Sequence, residues 1–208
     1  MIEQICEFLL RKIRKKMPEI QEEQAEIIKY GIQLIIGETP KMFILFGLGF
    51  FFGIGWYTLL AYVAIMPYRG ASGGFHLKTH LGCILGTSLF YYGNVLLSIT
   101  LTLNNIQKIV LVFITFIFSI IMINLYAPAD TENVPIISKK ERRNKKILSY
   151  ITMTITLLIS LIIKNNIISN LLVFGVLIQS ISITRIAYKI TKNKYGYEIY
   201  QEQLESQA

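Results

Sequence analysis

Carboxylates are missing from the middle of this chain. Of its 13 acidic residues none lies between Glu38 and Asp130, and histidine is confined to His76 and His80, cysteine to Cys6 and Cys83. Two cysteines give no disulfide framework, and facing the cytoplasm both would stay reduced. The acid-free stretch excludes a Cys-His-Asp triad built from nearby residues. It also leaves Arg69 without a local salt-bridge partner, and an arginine in that position commonly waits for an anionic ligand or supports a developing oxyanion. A secretory leader is not expected either: MIEQICEFLLRKIRKKMPEI mixes charged and apolar residues and lacks a compact apolar core with a small-residue cleavage site.

What is there is mostly apolar. The 208 residues are 53% hydrophobic, with a mean hydropathy of +0.50. Apolar runs lie at 42–66, about 81–103, 106–126, 147–163 and 167–188, near the roughly 20 residues that span a bilayer as a helix. The fold expected is an all-α polytopic membrane protein, one membrane domain over 1–208. The net charge of +8 would suit nucleic acid, but the basic residues sit beside apolar runs, where orientation and contact with anionic lipid account for them. No nucleic-acid partner is expected.

Residues 1–30 carry six basic and six acidic side chains, with Ile2, Ile5, Leu9 and Ile13 at helical spacing and Pro18 as an interruption. This reads as an amphipathic helix on the membrane face. Lysine and arginine crowd the N-terminal segment, the 127–146 loop and the tail from 189 to 208, whereas the connections near 104 and 165 hold Lys108 and Lys164 alone. The positive-inside rule therefore places the N-terminus, that loop, the tail and the loop at 69–83 in the cytoplasm. A parity problem follows, because residues 31–66 must enter the membrane and return. Four full spans are expected, plus a re-entrant hairpin or two short passes over 31–66 that use GIQLIIG and the glycine-rich run after it.

Within 69–83, RGASGGFHLKTHLGC, two histidines stand near one cysteine. A thiolate is a good acyl-transfer nucleophile and an imidazole is its usual activator. His80 lies one helical turn before Cys83. His76 lies two turns before it, roughly 10 Å along a helix axis, and reaches it only if the helix begins after His76 and the loop folds back. Gly73-Gly74 supplies backbone freedom for that fold, and Cys83 then lies in the first turns of a helix, where the dipole favours negative charge. With no acid at hand, Gln33 or Thr87 would orient such a dyad. Alternatively, His76, His80 and Cys83 share one helical face and would suit a metal with an open position, although no glutamate stands by as general base. Local geometry does not choose between the histidines.

The pattern R-x3-GG-x-H-x6-C between apolar runs, with GIQLIIG before it and Tyr-Ala-Pro-Ala at 126–129 and a basic loop after it, resembles the accessory gene regulator B (AgrB) family of bacterial membrane cysteine peptidases. The resemblance implies cleavage of an AgrD-like propeptide and its cyclisation to a thiolactone or lactone signal for quorum sensing, with no cofactor and no metal. It implies His76 as base, Cys83 as nucleophile, and Gln33, Arg69, Gly74 and Thr87 as supporting positions; family members often carry serine where Thr87 stands. A homodimer in the cell membrane is also implied. Because family propeptides have an acidic tail, Lys139, Lys140, Arg142, Arg143, Lys145 and Lys146 gain a second expected role as its binding site, beside topology and lipid contact. The rival function is a transporter or scaffold that moves the peptide uncut.

Overall fold

The computed structural model describes residues 2–17, 22–77, 79–132 and 135–207. Among them the chain forms helices α1 (Ile2–Lys16), α2 (Glu22–Phe51), α3 (Gly55–Ser72), α4 (His80–Thr100), α5 (Asn105–Tyr126), α6 (Lys139–Ile162), α7 (Asn166–Ser182), α8 (Arg185–Ile190) and α9 (Gly196–Gln207), and no strand. The all-α architecture expected from composition is the one observed. Two compact units divide the chain, 1–48 and 49–208.

In the first unit α1 is the helix expected of its periodicity; Pro18 lies outside the described residues. Cys6, Ala25 and Leu45 are buried, and Lys29 pairs with Glu7 at 3.4 Å. GIQLIIG is not a separate short piece. It belongs to α2, which runs on through Pro40, a residue that removes one helical hydrogen bond but is tolerated in apolar helices whose neighbours satisfy the freed carbonyl.

The second unit begins at Gly49, just before the 42–66 apolar run breaks. Gly53 adopts φ +74, and the amides of Gly53 and Ile54 turn back to Phe50 and Gly49 at 3.1 and 2.9 Å. Two helical segments thus replace one long apolar run, α2 ending at Phe51 and α3 beginning at Gly55. Among the described residues three helices are long and apolar enough to cross a membrane: Leu81–Thr100, Asn105–Tyr126 and Lys139–Ile162. The fourth expected span, α7, is a shorter apolar helix of 17 residues. It stops at Ser182 and not near 188, because Thr184 caps a new helix by accepting from the Ala187 amide. The other connections also end on caps: Asn104 forms a capping box with Gln107, Asn165 accepts from Ile168, and Ser138 accepts from Glu141. The Ser138 cap starts α6 at Lys139, so most of the basic stretch expected to be loop is helix.

Helix α7 is the axis of this unit and packs against α3, α4, α5 and α6. Polar side chains tie it in. Ser180 meets Tyr68 Oη at 2.8 Å and Ser119 Oγ at 2.7 Å, Asn94 donates to the Leu171 carbonyl, and Ser169 donates to that of Ser160. Between apolar helices in lipid such bonds replace the hydrophobic drive that water would supply.

Candidate active site

Helix α3 ends at Ser72, where the Gly73 amide bonds back to the Arg69 carbonyl at 2.9 Å. Gly73 at φ +75 and Gly74 at φ +145 then swing the chain out of the helix, conformations that side-chain-bearing residues rarely adopt. Residues 74–77 have no regular structure, and the Thr79 hydroxyl accepts from the Gly82 amide and starts α4 at His80. The helix thus begins after His76, as a His76–Cys83 pair requires. Cys83 lies in its first turns and is half-buried, while His76 is exposed on the loop. Leu77 lies against the first turns of α4, since a Cβ on Gly86 would stand 2.6 Å from Leu77 Cδ1 and one on Gly82 3.5 Å from Leu77 Cβ. The loop therefore folds back along the helix that carries Cys83.

Three further elements hold that loop. Ala129, in the Tyr-Ala-Pro-Ala segment, pairs with it as a short parallel bridge: its amide donates to the Ser72 carbonyl at 2.8 Å, and its carbonyl accepts from the Gly74 amide at 2.9 Å. Gln179 of α7, fully buried, accepts from Arg69 at 3.0 Å and donates to Ser72 Oγ at 2.9 Å and the Gly73 carbonyl at 2.7 Å. Asn193, beyond α8, donates to the His76 carbonyl at 2.7 Å. Arg69 also donates to the Phe75 carbonyl at 3.3 Å and lies over the Phe90 ring. The sequence expects this arginine to meet an anionic ligand or a developing oxyanion; in the structure its hydrogen bonds go to neutral amide and carbonyl oxygens, and among the described residues no carboxylate pairs with it.

Behind Ala129 the Asp130 side chain is buried. One oxygen accepts from the Ile136 amide at 2.8 Å and from Arg142 at 3.0 Å, and the other has no hydrogen-bond partner among the described residues. Tyr188 donates to the carbonyls of Ala129 and Asp130 and stacks on Tyr195 at 4.2 Å. Burial pushes the Tyr188 hydroxyl well above the ordinary tyrosine value, Tyr195 and Asp130 push the same way, and Arg69 pulls it down. It stays a neutral donor.

Of the residues the sequence singled out, Arg69, Gly74, His76, Cys83 and Thr87 all lie on α3, its following loop and α4, with Thr87 one turn beyond Cys83. Gln33 falls in α2, in the other unit, with its side chain outside the described residues; so does the His80 side chain, at the start of α4. No group of three or more His, Cys, Asp or Glu is assembled among the described residues. The basic set divides. Arg142 turns to Asp130 and stacks over Tyr197, Lys145 pairs with Glu141 at 3.5 Å, Lys146 donates to the Asn124 carbonyl, and Lys139, Lys140 and Arg143 are exposed.

Gln179, Asn193 and Asp130 were not singled out as site residues. Gln179 had one signal, a side-chain amide inside the 167–188 apolar run, which it shares with Asn170. Asp130 had another, as the first carboxylate after Glu38. Asn193, in a polar tail, had none.

A family model described as "Accessory gene regulator B" matches residues 6–183. A "Putative AgrB-like protein" of Listeria welshimeri is 30% identical over 200 residues, covering 96% of this chain and 95% of that protein. A protein of the same description from Clostridium acetobutylicum is 28% identical over 203 residues, 95% of this chain and 94% of its own. "Accessory gene regulator protein B" of Staphylococcus epidermidis is 29% identical over 187 residues, 90% and 91% respectively. No solved structure matches the chain.

Proposed function

This chain belongs to the accessory gene regulator B family, and from that premise we propose that it is a membrane cysteine endopeptidase processing an AgrD-like quorum-sensing propeptide. The observation that carries the reading is the fold-back of 74–77: the glycine pair turns the chain and Leu77 lies against Gly82 and Gly86 of α4, the helix that carries Cys83. That arrangement serves His76 as base and Cys83 as nucleophile.

His76 takes the Cys83 thiol proton, and the sulfur attacks the scissile carbonyl of the propeptide. The C–N bond breaks, the imidazolium protonates the departing amine, and the acidic tail leaves. The upstream peptide is now a thioester on Cys83. A thiol or hydroxyl within that peptide gives its proton to His76 and attacks the thioester; the new ring bond forms and the Cys83 C–S bond breaks. Sulfur regains the proton, and no water is consumed. Water must be kept out, since hydrolysis would give a linear product.

Arg69 fits the charge that develops on the carbonyl oxygen, because its bonds to Gln179 and Phe75 take two of its N–H donors and leave its charge uncancelled. Lys139, Lys140 and Arg143 fit the acidic tail, with Lys145 and Lys146 beside them; Arg142 is engaged by Asp130. The loop, the basic turns and the N-terminus face the cytoplasm in this scheme.

Mass spectrometry of co-expressed propeptide tests it. Cys83→Ala and His76→Ala leave the propeptide uncut, while His80→Ala still yields cyclic product. Full cleavage by either of the first two variants overturns the dyad. Peptide exported uncut by the parent chain would establish the transporter.

A further inference from the structure

The candidate base sits on a segment with no helix of its own, so something else must fix it. Phe75 is held through its carbonyl by Arg69. The next carbonyl, that of His76, accepts from Asn193 Nδ2, 117 residues later, at 2.7 Å. Asn193 lies beyond the residues that the family model matches.

The local chain builds this amide deliberately. Helix α8 ends in a Schellman motif: Thr191 is the C-cap, Lys192 takes φ +55, the Lys192 amide donates to the Lys189 carbonyl at 3.2 Å, and the Asn193 amide donates to that of Tyr188 at 2.9 Å. A lysine in the left-handed region is strained where glycine would not be. The Asn193 side chain is then oriented by its own turn, donating to Thr191 Oγ1 at 2.8 Å and to the Thr191 carbonyl at 3.2 Å. The turn is fixed in turn by Tyr188 on Ala129 and Asp130, by Tyr195 donating to the Ile183 carbonyl at 2.8 Å, and by Arg185 on Glu198 at 2.6 Å. Ala129 itself bridges to Gly73 and Gly74. The α8 turn and the His76 loop therefore share one anchor on Ala129 and meet again at Asn193.

We propose that Asn193 is a positioning residue for His76, setting the backbone from which the imidazole reaches Cys83. The role rests on the Cys-His reading above. Asn193 touches neither substrate nor sulfur in this scheme, so its loss slows turnover and leaves propeptide affinity unchanged. Misplacing a catalytic group by about 1 Å costs up to roughly a hundredfold in rate.

The test needs no propeptide. In the purified full chain with Cys6→Ser, Cys83 is the remaining thiol, and its alkylation by iodoacetamide near neutral pH reports activation by His76. Asn193→Ala is expected to slow alkylation about tenfold, toward the His76→Ala rate. Thr191→Val, a milder change that removes only the hydroxyl orienting the amide, gives an intermediate rate; gel filtration selects folded variants. Slow alkylation in His76→Ala with parental rates in both Asn193→Ala and Thr191→Val overturns the positioning role alone. Parental alkylation in His76→Ala overturns the dyad and this role with it.

Discussion

A buried amide takes the place of a carboxylate beside Arg69. A carboxylate would have neutralised the guanidinium; Gln179 satisfies it and leaves its charge intact, while its own N–H groups hold Ser72 and the Gly73 carbonyl. Replacing Gln179 by leucine strands three polar partners at once, and a loss on the order of 3 kcal/mol is expected, read as a lowered unfolding midpoint in detergent. The same logic separates the basic residues. Arg142→Ala leaves the Asp130 carboxylate buried without its partner, for which about 3 to 5 kcal/mol is expected. Lys139→Ala, at an exposed position, should stay within about 0.5 kcal/mol. Equal midpoints for the two variants would remove the structural role given to Arg142.

The pairing of 72–74 with Ala129 depends on elements that glycine makes possible. A Cβ on Gly73 would collide with the Ala129 carbonyl oxygen, and φ +75 is unfavourable for any other residue. Gly73→Ala is therefore expected to insert and fold its helices but to lose cleavage, as mass spectrometry of the propeptide would report. Helix α6 poses the opposite case. Its first turns carry Lys139, Lys140 and Arg143 at the end where the helix dipole disfavours cations, so an anionic tail bound there relieves repulsion as well as adding attraction. Replacing these three with glutamine should weaken propeptide binding at low salt and flatten its dependence on ionic strength. An unaltered salt dependence would assign them to topology and lipid alone.

Across the whole molecule, alkaline pH probes the tyrosine stack behind the site. Burial raises the hydroxyls of Tyr188 and Tyr195 above the ordinary value of about 10. The unfolded chain ionises first, so their contribution is complete below about pH 10 and is lost as pH rises toward the folded-state values. The unfolding midpoint should hold to about pH 10 and then fall; Tyr188→Phe should lower it at neutral pH and make the alkaline fall shallower. How much was legible beforehand follows the range of the forces. The apolar runs and the freedom of Gly73-Gly74 are local, and the sequence displays them; the start of α4 after His76 stood there only as the condition for a His76–Cys83 pair. The break at Gly53 was half visible, as a parity problem without a position. Gln179 and Asn193, the partners of Arg69 and of the His76 carbonyl, come from far along the chain, and periodicity carries no trace of them; family resemblance chooses His76 over His80, and geometry adds the fold-back. Distance along the chain also means distance in time. His76 and Cys83 leave the ribosome well before Gln179, which stands 107 residues beyond the Ser72 it holds. During synthesis Cys83 thus emerges before its loop can be clasped, and the Gln179 bonds to Ser72 and Gly73 form only once α7 has been made.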